Sequence, residues 1–178
     1  MAEVTETSVQ KRPMTLIEGM KEMKLILKKM QRNSERIGEL SSLLSNERPK
    51  MESEDEQKKT VASLAQANKD LLRDYLVLHA RVTRTNLETV VKIGGSEYTI
   101  DSLLLIRRKL ADAMVLTYKA MSDKSATARL RNQSDQVTVV QMFDEKTKAA
   151  EIDFWLDFKE QIDPRLESVN AITVLLTV

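Results

Sequence analysis

The chain has no cysteine among its 178 residues, so neither a disulfide framework nor a thiolate metal site can organise it. Glycine (four) and proline (three) are scarce, and aromatics make up 4%. Sandwiches and barrels need frequent turns and strands rich in aromatic or β-branched residues, so all-β architectures are poor candidates. No apolar run approaches the roughly 18 residues of a membrane-spanning helix, and the polar stretch 1–12 lacks an apolar signal core. Charges nearly cancel, at +1 overall. That argues against a dedicated nucleic-acid binder, although a local basic face can hide in a balanced total. The one histidine, His79, excludes a multi-histidine metal site within one chain.

What is present is helical periodicity. Residues 1–13 are polar and read as a flexible arm. Thr15 followed by Glu18 is a capping box, with hydroxyl and carboxylate reciprocally bonding first-turn amides. From there Leu16, Met20, Met23, Leu27, Met30, Ser34, Ile37, Ser41 and Leu44 step by alternating fours and threes, a heptad seam. The spacing predicts a helix over 15–46, about 45 Å long. Pro49 marks a break, and Ser53 with Glu56 forms a second capping box. Val61, Leu64, Asn68, Leu71, Tyr75, Leu78 and Val82 continue the pattern in a second helix. A seam asparagine such as Asn68 either fixes register or oligomer state, or sits at a wetted edge. Two such helices joined by a short break predict an antiparallel hairpin.

After Asn86 the pattern changes. Val90–Ile93, a Gly94-Gly95 turn and Glu97–Thr99 predict a β-hairpin near 90–99. A lone hairpin is marginal and needs a third strand or a helix to lie on. The β-branched run 137–142 is the expected third strand. Thr99 or Asp101 caps a third helix running to Ser122, with Leu103, Ile106, Leu110, Ala113, Thr117 and Met121 as its stripe. The polar segment 122–136 reads as a loop. Asp144 caps a fourth helix to Ile162, with Ala149, Ile152, Trp155, Leu156 and Lys159 on its inner side. Pro164 is expected to kink or restart it. The expected fold is mainly α: a long antiparallel hairpin or four-helix bundle with a two- to three-stranded β insertion. It forms one domain over 14–170, followed by a β-prone tail, 171–178.

Several of these segments resemble a septicolysin-like family of small bacterial and phage helical proteins of undetermined molecular function. They are Arg84-Thr85-Asn86-Leu87-Glu88-Thr89, Gly95, and Thr99-Ile100-Asp101-Ser102-Leu103. The run 137–142, Phe143-Asp144 and the stretch 166–172 complete the match, which covers residues 60–178. Pro164 and Ala171-Ile172 depart from the family pattern. The resemblance implies a helical fold with a small sheet and no catalytic residues to carry over. Its label alone implies a membrane-active cytolysin.

Catalytic chemistry finds little support. His79 has no histidine partner and reads as a surface residue. Glu52, Glu54, Asp55 and Glu56 could bind a hard cation, but an acidic helix start suits the helix dipole without one. Gly94-Gly95-Ser96 lacks the lysine and spacing of a phosphate loop. No cofactor or metal is expected. Arg81, Arg84, Arg107 and Arg108 could converge on an anion, or tie carboxylates and carbonyls at a chain reversal.

The expected function is a non-enzymatic, self-associating structural protein. Its homo-oligomer interface would comprise Leu16, Met20, Met23, Leu27, Met30, Ile37, Leu44 and Asn68, with other assembly proteins as further partners. The methionines suit an adaptable interface. A cytoplasmic or virion setting fits, and the resemblance suggests a phage virion or tail. A nucleic-acid or anionic-ligand module using the four arginines is the alternative.

Overall fold

The computed structural model describes residues 12–130 and 137–177. The protein is mainly α-helical, with a small antiparallel sheet. In chain order come α1 (Leu16–Leu40), α2 (Glu54–Glu88), β1 (Val90–Ile93), β2 (Ser96–Thr99) and α3 (Ile100–Leu105). A π-helical turn (Ile106–Leu110), α4 (Ala111–Ala120), α5 (Lys124–Leu130) and α6 (Glu145–Ile172) follow. Two compact units result: the chain up to Thr85 together with the segment from Asn170, and Asn86–Val169.

In the first unit α1 and α2 form the expected antiparallel hairpin. The Thr15–Glu18 capping box is complete: the Thr15 amide donates to Glu18 Oε2 at 2.9 Å, and Thr15 Oγ1 accepts from the Glu18 amide at 3.4 Å. Helix α1 stops at Leu40, six residues short of the expected end. The physical reason lies in the serines and in Gln57. Ser41 Oγ bonds back to the Ile37 carbonyl, a local bond that competes with helix continuation. Gln57, 3% exposed, donates from Nε2 to the orphan Leu40 carbonyl at 2.7 Å, and its oxygen accepts from the Lys50 amide at 2.8 Å. One buried side chain thus closes α1 and anchors the connecting loop. Leu44 consequently lies in that loop, 64% exposed, and not on the helical seam. Ser53 Oγ caps α2 by accepting from Glu56 N at 3.2 Å.

The segment after α6 returns to this unit. Leu16 N donates to Thr173 O (2.8 Å) and Leu175 N to Met14 O (2.9 Å), around a Thr15–Val174 antiparallel bridge. Leu175, 3% exposed, lies over Gly19, where a Cβ would stand 2.5 Å from its Cδ1. The glycine is what allows the tail this close to α1.

In the second unit β1 and β2 pair in the register Val90–Thr99 to Ile93–Ser96. Gly94 (φ 58°) and Gly95 (φ 84°) supply the two positive φ angles of a tight hairpin turn. Among the described residues no third strand joins. Residues 137–142 are not a strand, and Val137, Val140 and Met142 are 45%, 69% and 88% exposed. Helices support the hairpin instead. Val91 and Ile93 are buried, Tyr98 meets Phe158 of α6 edge-on at 5.6 Å, and Ile100 N donates to Thr89 O at 3.1 Å.

The third helix is interrupted as the sequence did not suggest. The Ala111 amide donates to Ile106 O, five residues back, which adds a residue to that turn. The buried stripe shifts accordingly. Leu103, Ala111 and Val115 are inside, while Leu110, Ala113 and Thr117 are exposed. Part of the expected polar loop is the helix α5, and residues 131–136 lie outside the described residues. Helix α6 runs through Pro164 without a break. Glu160 and Pro164 are exposed, so the carbonyl that loses its amide partner faces water, where the loss costs least. Its buried track is Phe158, Ile162 and Leu166, whereas Ala149 and Leu156 face outward.

Candidate functional site

The seam of the α1–α2 hairpin is where the expected interface residues can be placed. Two heptad tracks on α1 share Leu16, Met23, Met30 and Ile37. One continues through Met20, Leu27, Ser34 and Ser41, as expected from the apolar pattern. The other continues through Gly19, Ile26, Asn33 and Leu40, and this second track faces α2. Gly19, Ile26 and Leu40 are buried and Asn33 half-buried, whereas Leu27, Ser34 and Ser41 are exposed and Met20 half-buried. Leu16 is fully buried, and Met23, Met30 and Ile37 are half-buried.

Asn68 is occupied inside the hairpin. Its Oδ1 accepts from Asn33 Nδ2 at 2.9 Å, and its Nδ2 donates to Met30 O (3.2 Å) and Ser34 Oγ (3.3 Å). It pins α1 against α2 in the middle of the chain's own seam, so its side-chain bonds fix intramolecular register.

Helix α2 likewise carries two tracks. Val61, Leu64, Asn68, Leu71, Tyr75, Leu78 and Val82 face inward, all buried or half-buried. Beside them Ala62, Ala65, Lys69, Leu72, Leu76, His79 and Thr83 repeat at threes and fours and are exposed, Leu72 at 47% and Leu76 at 57%. The helices run antiparallel, so rotating in the same sense from each seam reaches the same side of the hairpin. The exposed tracks of α1 and α2 therefore share one face. A groove of about 530 Å³ on that face, at the loop end, confirms the alignment. Its lining includes Ser41 from one track and Ala65 from the other, with Leu40, Val61 and Ala62 as its floor.

The four arginines divide between the two units. Arg81 and Arg84 belong to the first unit. Arg81 Nε donates to Leu176 O at 3.1 Å and Arg84 Nη1 to Thr177 O at 3.0 Å. Between them Thr85, fully buried, donates to Arg81 O and accepts the Leu176 amide at 3.0 Å. These side chains satisfy the free edge of the returning tail, the carbonyl-tying role. Arg107, in the second unit, pairs with Asp163, and Arg108 is exposed on the π turn.

The other candidates are surface features. His79 is exposed and stacks on Tyr75 at 6.2 Å. Lys58 lies 3.8 Å from both Glu54 and Asp55. Among the described residues no three His, Asp or Glu gather as a metal site, and no helix is long and apolar enough to cross a membrane. The shifted carboxylates are structural. The bond from the Thr15 amide, with lesser help from the Thr15 hydroxyl and Arg12, holds Glu18 below the usual range against the opposing effect of burial, which is second only to that bond. The Thr147 hydroxyl and amide do the same for Asp144 at the start of α6. Tyr118 is pushed up, first by burial and then by Glu151.

No family model matches this chain. No curated protein matches it either. Among solved structures it is similar to a functionally unknown conserved protein from Corynebacterium diphtheriae. The identity is 18% and the TM-score 0.49, over 93% of this chain and 100% of that one. A likeness of this degree assigns neither family nor activity.

Proposed function

We propose that the protein is a non-enzymatic, self-associating helical assembly protein whose leucine-centred hairpin face docks on the same face of a second copy. The observation that carries this reading is the second heptad track on both helices. Met20 and Leu27 on α1, and Leu72 and Leu76 on α2, share one side of a hairpin whose own seam is already filled by the other tracks. Two such faces laid together give a four-helix bundle with knobs-into-holes packing. Ser34, Ser41, Ala65 and Thr83 are small enough to let the helices approach. An isologous contact of this kind closes as a twofold dimer. The interface thus keeps Met20 and Leu27 from the expected set, adds Leu72 and Leu76, and leaves Leu16, Leu44 and Asn68 out of it. A phage virion or tail, the setting implied by the septicolysin-like resemblance, is a place where such a bundle would serve.

Light scattering behind a sizing column, over a range of concentrations, tests this. A discrete dimer is expected, reduced to monomer in Leu27→Glu/Leu72→Glu, with an unchanged helical circular-dichroism signal because both positions are exposed. A wild-type chain that stays monomeric at every concentration overturns the proposal.

A further inference from the structure

The hairpin face centres on exposed leucines, yet the strongest charge pattern lies elsewhere. On α1, Lys21, Lys24, Lys28 and Arg32 follow one another at threes and fours, so they share a face away from the α2 seam. All are exposed, and none belongs to an ion pair among the described residues. Continuing along that face, the sign reverses at Glu35 and Glu39. On α6, Asp153, Asp157, Glu160 and Glu167 share one face in the same way, exposed and likewise outside any ion pair. Toward the start of α6 this face also reverses sign, at Lys146. Each stripe has one exposed leucine beside it, Leu25 (42%) on α1 and Leu156 (43%) on α6.

The two patterns, sign-reversed ends included, are complementary in the antiparallel direction. With the helices antiparallel, Arg32 falls opposite Asp153, Lys28 opposite Asp157, Lys24 beside Glu160, and Glu39 opposite Lys146. A parallel alignment with Lys24 opposite Asp153 and Lys28 opposite Asp157 leaves both Glu39 and Lys146 without a partner. The matched stretch from Glu39 back to Lys24 is about 22 Å long, four helical turns.

We propose that α1 of one copy binds α6 of another, antiparallel, through these stripes. This builds on the self-association proposed above but uses a different surface. The contact joins two unlike faces; made head to tail, it is heterologous and extends dimers into larger assemblies. Each exposed pair contributes little alone, so the contact depends on the whole row and on low salt.

The test is sedimentation of the full chain at low and high salt, with charge-reversed variants. In the wild type the mass should exceed the dimer's at low salt and fall to it at about 0.5 M, where the screening length is only a few ångströms. Lys28→Glu/Arg32→Glu and Asp153→Lys/Asp157→Lys should each lose the larger species. Mixing the two variants one to one should restore it, because each supplies the face the other lacks. Mass independent of salt, or no restoration on mixing, overturns this inference. A salt-independent dimer would do so while leaving the hairpin reading intact. Salt-sensitive growth that survives Leu27→Glu/Leu72→Glu would support the charged contact, and a dimer persisting in that variant at high salt would count against the hairpin reading instead.

Discussion

Asn33 and Asn68 join side chain to side chain at 2.9 Å across the hairpin, 35 positions apart in the chain. The pair sits in an otherwise apolar seam, and Asn68 also reaches Met30 O and Ser34 Oγ of α1. Removing it by Asn68→Ala leaves Asn33 without its acceptor, and a loss of about 1–3 kcal/mol is expected. Asn68→Leu should recover much of the stability but loosen register, because leucine fits several alignments. Urea unfolding measures the first effect; broadened amide resonances along α1 would report the second.

The two helical glycines of α1 should respond oppositely to alanine. Gly38 has nothing within 4 Å of a new Cβ, so Gly38→Ala is expected to stabilise by about 1 kcal/mol through helix propensity. A Cβ added at Gly19 would stand 2.5 Å from Leu175 Cδ1, and Leu175, 3% exposed, is too buried to swing away freely. Gly19→Ala should forfeit the propensity gain to overpacking and loosen the tail. Thermal melts of both variants decide it; an equal gain at both sites would show that the tail does not press on α1.

Thr85→Val keeps shape but removes the hydroxyl that accepts the Leu176 amide. The Leu176 amide is part-buried, so leaving it unsatisfied should cost about 1 kcal/mol, the low end of the range for a buried one. Hydrogen exchange at Leu176 should accelerate well beyond that of amides in the middle of α2. Unchanged protection there would mean that Arg81 and Arg84 hold the tail by themselves.

Glu18 gives an acid-side dependence. Its folded pKa lies below the ordinary value, so its contribution is complete above the usual glutamate range. That contribution is lost as pH falls through the folded pKa. The stability difference between wild type and Glu18→Ala should therefore shrink on acidification from neutral pH. Asp144→Ala should behave similarly, since the Thr147 hydroxyl and amide lower that carboxyl too. Denaturation midpoints compared at neutral and strongly acid pH give the answer, and a constant difference would refute it.

Some features were legible because they are local. The Thr15–Glu18 and Ser53 caps, the Gly94-Gly95 turn and the inward track of α2 each follow from residues a few positions apart. Others needed a partner from far along the chain. Nothing near Leu40 announces that Gln57 will cap its carbonyl, and a buried glutamine in the first turn of α2 looks like any exposed one. The run 137–142 has strand composition, but composition cannot provide an edge to pair with, and Phe158 and α3 already support the hairpin.

By itself the sequence determined where helices and turns could form, the antiparallel hairpin, and the absence of thiol chemistry, because propensity, capping and turn geometry act over single turns of chain. Only the tertiary structure decided phase. On α1 the apolar choice was Met20 and Leu27, yet Gly19, Ile26, Asn33 and Leu40 face α2, because Leu175 needs the glycine's space and Asn68 needs the asparagine. In the third helix the π turn moved the buried stripe by one residue. Periodicity says that a helix has a face; which face is buried depends on the surface it meets.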